Sequence, residues 1–348
     1  MIEVQEELLK WYQKEKRNLP WRSDKEPYHV WVSEIMLQQT RIEAVLPYYR
    51  HFMEELPTIT DLAYCPEEKL LKLWEGLGYY NRVRNLQKAA KIVMEEYHSA
   101  FPQTMSEILS LPGVGEYTAS AISSICFNKK EAAVDGNVLR VFARVHNDFR
   151  NIEDSKVKKE IRNTIQKHLP QEAGKFNQAM MELGETICLP NGEPKCANCP
   201  LQKKCLSYQK GTCSHLPIRE KKKSTKEEKR TVYLLIYQGK VAIRKREEDA
   251  LLHNLWEFPN QEGHQNKKEA ESFWKEQGYV LSKIEKGPSY THVFSHKKWN
   301  MISYFIEISN YPNNSYQWLT KEDLEKNYAI PTAFKPFQKE LERKENNL

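Results

Sequence analysis

Apolar residues recur at three- and four-residue intervals over positions 4–16, 30–53, 67–97 and 156–168, the spacing that lays them along one face of a helix. Pro20, Pro57, Pro102 and Pro112 punctuate these blocks, as expected of a residue that breaks helices and opens turns. Beyond position 230 the period changes. Positions 231–237, 240–244 and 299–308 are short runs rich in β-branched and aromatic side chains, interrupted by one helical stretch near 269–277, and they predict strands. Between the two regimes, 217–230 holds seven Lys or Arg against three Glu and almost no apolar residue. It reads as a solvated linker, with contact to a phosphate backbone as the sharper alternative. The expected fold class is therefore multidomain: an all-α region before 217, a basic linker over 217–230, and an α+β domain over 231–348.

Composition sets bounds on this picture. The 348 residues allow two or three separate cores. The N-terminus, Met1-Ile-Glu-Val-Gln-Glu-Glu, carries acid where a secretory signal carries base, and no apolar run is long enough to span a bilayer. A soluble, intracellular protein is expected. A net charge of +6 and a pI near 8.7 suit a phosphate-bearing partner without requiring one.

Cysteine placement is more specific. Of 7 cysteines, Cys188, Cys196, Cys199 and Cys205 fall close together, with one Cys-x-x-Cys step at their centre. Four thiolates on one short excursion of chain suit zinc or an iron–sulfur cluster. The single pair with flanking singles favours the cluster, since zinc ribbons bring two such pairs together. An odd cysteine count without a secretory signal argues against a disulfide framework. Cys65, Cys126 and Cys213 have no ligand-like spacing and read as ordinary thiols.

Three further segments could carry chemistry. Leu111-Pro-Gly-Val-Gly115 is a glycine-rich turn feeding a helix. Gly113 and Gly115 free its backbone, so its amides can converge on an anion, although a plain helix connector fits as well. In Val134-Asp-Gly-Asn-Val138 an acid precedes an apolar helix, and Asp135 reads first as an N-cap. Glu34 sits among apolar residues, with Trp31, Ile35 and Gln38 at helical spacing. A desolvated Glu there would keep its proton towards neutral pH, as a general acid must, whereas the plainer reading is a water-facing helix position. A proton-donating carboxyl paired with an ionised one is the equipment for cleaving a glycosidic bond. With an anion-gripping turn and a cysteine cluster, the combination suggests N-glycosidic chemistry on a nucleic acid.

Leu19-Pro-Trp-Arg22, Ser33-Glu-Ile-Met-Leu-Gln-Gln-Thr40, Gly76-Leu-Gly-Tyr-Tyr80, Leu111-Pro-Gly-Val-Gly115, Val134-Asp-Gly-Asn-Val138 and the four cysteines occur in this order. Together, over about 5–215, they closely resemble the MutY family of adenine DNA glycosylases in the helix-hairpin-helix superfamily. The likeness continues more loosely into the C-terminal domain. It implies a catalytic region over 1–216, with a six-helix barrel lobe at about 22–130. A second lobe, built from the N-terminal helix and about 131–216, would hold a [4Fe-4S] cluster on Cys188, Cys196, Cys199 and Cys205. The 231–348 domain would be Nudix-like. The implied partner is double-stranded DNA carrying adenine opposite 8-oxoguanine or guanine, met by a monomer in a bacterial cytoplasm, without membrane attachment.

By motif position, the resemblance makes Glu34 the acid that protonates adenine and Asp135 the carboxylate that stabilises the sugar cation. Tyr117 and Asn137 would position them and the water. Trp21, Arg22 and Gln178 would line the adenine pocket, and Tyr79 would wedge into the base stack. Gln39, Thr40, Gly113 and Gly115 would touch DNA, and Phe294, Ser295 and His296 would form the loop against 8-oxoguanine. Bifunctional relatives carry a lysine where this chain has Tyr117, so no Schiff base forms there and an efficient lyase step is not expected. Leu255-Trp-Glu-Phe-Pro259 resembles the start of a Nudix motif, yet no Arg-Glu-x-x-Glu-Glu follows in 261–279. The magnesium-holding acids of pyrophosphate hydrolysis are therefore missing. Cys188 and Cys196 are separated by seven residues where the family usually has six. A pyrimidine glycosylase and a noncatalytic DNA binder are the competing readings. Tyr117 weighs against the first, and the pair Glu34 and Asp135 against the second.

Overall fold

The computed structural model describes residues 2–220, 226–247, 252–310 and 315–345; part of the expected linker, 221–225, lies outside them. The chain divides into two units, Met1–Tyr64 with Arg84–Lys222, and Cys65–Val83 with Lys223–Leu348. The helices up to the linker are α1 (Ile2–Glu15), α2 (Pro27–Leu37), α3 (Ile42–Glu55), α4 (Ile59–Tyr64), α5 (Glu67–Leu73) and α6 (Asn81–Glu96). They continue with α7 (Met105–Ser110), α8 (Glu116–Phe127), α9 (Gly136–His146), α10 (Ser155–Lys167), α11 (Ala173–Thr186) and the short α12 (Leu206–Gln209). Of these, α5 belongs to the second unit and α6 leads back into the first. The expected helical blocks 30–53 and 67–97 each break in two, at Gln39 (φ 58°) and at Gly76 and Gly78 (φ 105° and 70°). Apolar spacing carries across both breaks, so periodicity alone does not mark them.

Helix α2 is buried at Tyr28 and continuously from Val30 to Met36, as a helix without a wide polar face must be. It packs on α8, whose Ala119, Ser120, Ala121, Ser123 and Ser124 are all buried. These small side chains let α11 come close: a Cβ on Gly174 would lie 2.4 Å from the Ser124 carbonyl oxygen. A second core joins α1, α9, α10 and α11 through Leu8, Phe142, Ile161 and Phe176.

The second unit is built on a sheet of β1 (Lys226–Tyr237), β2 (Lys240–Lys245), β3 (Trp256–Glu257), β4 (Asn260–Glu262), β5 (Leu281–Lys286), β6 (Tyr290–Val293), β7 (Lys297–Ile308) and β8 (Gln317–Leu319). Strands β1 and β7 form its long parallel centre, in the order β3-β2-β1-β7-β5. Alternation along β1 sends Val232 and Leu234 to one core, with Phe258, Phe334 and Phe337, and Tyr233 and Leu235 to the other, with Trp274. Helix α13 (Lys267–Glu276) supplies the second face. Helices α14 (Lys321–Asn327) and α15 (Lys335–Glu345) contribute to the first.

The linker expectation is corrected at its end, because β1 begins at Lys226. There Glu227 pairs with Lys298 at 2.7 Å and Glu228 with Lys297 at 2.9 Å, so charges that look solvated in sequence are matched across the ladder. Segment 65–83 is held by Lys72 Nζ on the Tyr328 carbonyl at 3.1 Å, and by Glu75, which accepts from Ile330 N–H at 2.7 Å and pairs with Lys335 at 2.8 Å. Among the described residues, no helix is long and apolar enough to cross a membrane.

Candidate active site

A cavity of about 1040 Å³ in the first unit is lined from α2, α8, α9, α11 and the turn Pro20–Arg22. Glu34 reaches it from α2 and is only 7 % exposed, so the water-facing reading of this residue falls. Tyr117, in the first turn of α8, donates its hydroxyl to Glu34 Oε2 at 2.8 Å. Burial pushes the Glu34 carboxyl up to about 7 despite that hydrogen bond, and the charge of Asp135 adds to the rise. A proton is therefore available there at neutral pH.

Asp135 is an N-cap that also faces the cavity. It caps α9, with Oδ1 accepting from Val138 N–H at 2.8 Å, and it lines the same cavity as Glu34. Asn137 Nδ2 donates to its other oxygen at 2.7 Å. Burial raises the Asp135 carboxyl, and these donors together with Arg140 oppose the rise. Arg140 in turn holds Asn137 Oδ1 at 2.8 Å and the Gly184 carbonyl at 2.9 Å. A Cβ on Gly184 would lie 2.7 Å from Asn137 Cβ, so glycine is what admits α11 to this contact.

Trp21, Arg22 and Gln178 line the cavity beside the carboxyls. The Trp21 ring is set edge-on against Tyr49 with centroids 5.0 Å apart. Tyr12 donates to Gln178 Oε1 at 3.2 Å. Gln39 and Thr40 also line it, Gln39 being exposed on the left-handed turn after α2. Gly113 (φ 77°) turns the chain where a Cβ would lie 2.7 Å from Asn85 Cβ, and nothing stands within 4 Å of a Cβ on Gly115, the residue before α8. That leaves the Gly115 backbone open to an approaching anion.

Several lining residues went unnoticed in the sequence. Glu182 on α11 is 1 % exposed and accepts from Arg17 N–H at 3.0 Å, from Arg17 Nε at 2.8 Å and from Arg22 Nη2 at 2.8 Å. Burial works to raise its carboxyl, but Arg17 and Arg22 bring it below the ordinary value. Glu185 is raised by burial although Arg17 stands 2.6 Å away. Gln178, Met181, Glu182 and Glu185 follow helical spacing, a signal that points to one cavity-facing stripe. Arg219 also lines the cavity.

Four expected site residues belong to the second unit: Tyr79, Phe294, Ser295 and His296. The Tyr79 hydroxyl lies 2.8 Å from Ser295 Oγ. Ser295 and His296 are exposed, whereas the Phe294 ring is half-buried, edge-on to Trp299 at 4.8 Å. Phe294 is therefore packed against the core of the second unit.

Cys188, Cys196, Cys199 and Cys205 line one small cavity beside α9, and Cys213 also lines it. Among the described residues no three His, Cys, Asp or Glu side chains converge as ligands of one metal ion; the cysteines ring the cavity. Arg144 Nη1 donates to Cys188 Sγ at 3.3 Å, and Arg140 Nε to the Cys188 carbonyl at 2.8 Å. Helix α9 thus ties the thiol loop to the carboxyl site.

Comparison with known proteins agrees with this geometry. Residues 32–170 match the HhH-GPD superfamily of base excision DNA repair proteins, and residues 231–340 match the NUDIX domain. An adenine DNA glycosylase of Buchnera aphidicola subsp. Schizaphis graminum is 35% identical over 96% of this chain and 96% of its own. One of Mus musculus is 34% identical over 94% of this chain and 76% of its own. Among solved structures, a thermostable thymine-DNA glycosylase superposes with a TM-score of 0.54 at 29% identity, covering 60% of this chain and 96% of that one. The chain belongs to the adenine DNA glycosylase family, enzymes of base excision repair that act on adenine mispairs in DNA.

Proposed function

We propose that the chain removes adenine opposite 8-oxoguanine or guanine in duplex DNA by proton-assisted hydrolysis of the N-glycosidic bond, without an efficient lyase step. One observation carries the reading: a buried carboxyl held near pKa 7 shares a cavity with a second carboxylate. In this reading Glu34 passes its proton to the extruded adenine, which turns the base into a neutral leaving group. Asp135 stabilises the cationic sugar left behind. Tyr117 aims Glu34, while Asn137 aims Asp135 and the attacking water. Trp21, Arg22 and Gln178 surround a base that must leave the stack to reach so recessed a site. Gln39, Thr40 and the backbone at Gly113 and Gly115 grip DNA near it. Tyr79 wedges into the base stack, and Ser295 and His296 read the opposite purine, with Phe294 bracing their loop from beneath. No amine stands at position 117, so the sugar has no Schiff-base partner there.

Cys188, Cys196, Cys199 and Cys205 are assigned as ligands of a [4Fe-4S] cluster. An all-sulfur donor set ringed around a cavity, with Arg144 donating to one thiol, fits such a group. When bound it would cross-link the 188–205 segment. The chain is taken to act as a monomer on chromosomal DNA in the cytoplasm.

Incubation with duplexes holding A opposite 8-oxoguanine, A opposite G, T opposite G, and thymine glycol opposite A tests the assignment, scored with and without alkali. Cleavage is expected only at A, only after alkali, and to vanish in Glu34→Gln. Excision of a pyrimidine, or breakage at A without alkali, overturns it.

A further inference from the structure

Two of the side chains assigned to the adenine pocket, Arg22 and Gln178, meet the same buried residue. Tyr12 of α1 lies in the core that α1 shares with α9, α10 and α11. Its hydroxyl is 3.2 Å from Gln178 Oε1, and the Arg22 guanidinium sits over its ring, 5.6 Å from the centroid.

The direction of the first contact follows from the other end of the amide. Gln178 Nε2 donates to the Gly174 carbonyl at 3.3 Å, one turn back on α11. A carbonyl oxygen only accepts, so the atom facing it is the nitrogen and the atom facing Tyr12 is Oε1. Tyr12 therefore donates. Burial pushes its hydroxyl up to about 12, against the opposing charge of Arg22, so the proton for this bond is in place at neutral pH. The Gly174 contact is long and uses one of the two amide hydrogens; among the described residues nothing holds the second. Gln178 lines the cavity, so that hydrogen and the remaining lone pair of Oε1 are what it has to offer a base. An amide held this way matches an amino group beside a ring nitrogen, the pattern on an adenine edge.

Arg22 has other anchors. Its Nη2 donates to Glu182 Oε2 at 2.8 Å and its Nη1 to the Arg17 carbonyl at 3.2 Å, while the Tyr12 ring covers its face. These contacts need only the ring of Tyr12, whereas Gln178 needs the hydroxyl.

We propose that Tyr12 is a positioning residue for base recognition: its hydroxyl holds the Gln178 amide in the orientation that meets adenine's amino group and the neighbouring ring nitrogen. The inference rests on the adenine pocket proposed above. Without the hydroxyl, Gln178 keeps only the long contact to Gly174, and its amide is free to turn.

The test measures binding of the full chain to duplexes that carry, opposite 8-oxoguanine, a 2′-fluoro nucleoside of either adenine or purine, the second lacking the amino group. The fluorine disfavours a cationic sugar, so neither base is cut during the titration. The wild type is expected to bind the adenine duplex about tenfold more tightly than the purine duplex. Tyr12→Phe, whose melt checks its fold, is expected to bring the two within about twofold by weakening adenine alone. Gln178→Ala is expected to do the same, and the double variant to add nothing further. The alkaline limb of excision is expected to stay at about 7 in Tyr12→Phe, since Glu34 is untouched. A preference for adenine that survives in Tyr12→Phe overturns the proposal. So does equal weakening on both duplexes, which is a loss of structure, or a displaced limb, which places the effect at Glu34. A wild type that binds adenine and purine equally refutes instead the base pocket on which the proposal rests.

Discussion

At Glu34 the proposed role and stability pull against each other in a single residue. Its carboxyl rises from an ordinary 4.5 to about 7 on folding, so between those values the native state holds a proton that the unfolded chain has lost. Stability from this group therefore falls as pH rises through that window, by about 3 kcal/mol once the pH is above both values. Glu34→Gln removes the penalty. At about pH 8 it is expected to raise the urea midpoint while abolishing excision, and an unchanged or lower midpoint would mean the carboxyl is not desolvated. The same proton sets the pH profile: single-turnover excision is expected to fall as pH rises through about 7, where Glu34 ionises. Tyr117 steadies the ionised form through its 2.8 Å hydrogen bond, so Tyr117→Phe is expected to move the alkaline limb to higher pH. A limb that stays where it was would separate the two groups. Sequence supplies Glu34 as a candidate because its neighbours are apolar. It cannot choose between a buried and a wetted face, since that choice is made by α8 packing against α2.

At the scale of the element, α9 joins a cap, a cavity-lining carboxyl and a thiol contact along one helix. Asp135, Asn137, Arg140 and Arg144 carry contacts from the cap to the Cys188 sulfur. In sequence a cap and a cation-stabilising carboxylate compete for Asp135; in the structure the residue that caps α9 also lines the cavity, so the cap leaves the proposed role open. The two roles separate by substitution. Asn is as good a cap as Asp, so Asp135→Asn is expected to keep stability within about 0.5 kcal/mol while slowing excision at least about 100-fold. Asp135→Ala is expected to lose about 1 kcal/mol as well. If Asn slows excision no more than it destabilises, as read by thermal melts beside single-turnover rates, Asp135 is a cap alone. The motifs legible in sequence are those whose residues are neighbours in the chain, such as 111–115 and 134–138. The clamp of Arg17 and Arg22 on Glu182 spans 160 or more positions, and only the α11 spacing hints at it.

The two-region organisation, helical and then α+β, follows from the change of period near 230, but the grouping of 65–83 with the C-terminal unit has no local signature. It rests on pairs more than 250 positions apart, Lys72 with Tyr328 and Glu75 with Ile330. Each partner looks like an ordinary surface charge or backbone amide in sequence. Glu75 is the centre of this clasp, with Lys72 and Lys335 both at 2.8 Å and the Ile330 N–H at 2.7 Å. The same segment carries Tyr79 to Ser295, so on the role proposed for Ser295, loosening it is expected to blur the reading of the opposite base before it touches the carboxyl site. Glu75→Leu leaves a backbone amide and two lysines without their acceptor, a local cost of about 1–3 kcal/mol. Amide exchange is expected to speed up across 65–83 and 328–335, with α2 and α8 keeping their protection. The ratio of excision opposite 8-oxoguanine to that opposite guanine should fall towards one, because Tyr79 and Ser295 no longer meet in a fixed geometry. Faster exchange spread evenly over α2 and α8 as well would make Glu75 a global stabiliser. An unchanged ratio alongside local loosening would remove Ser295 from the reading of the opposite base.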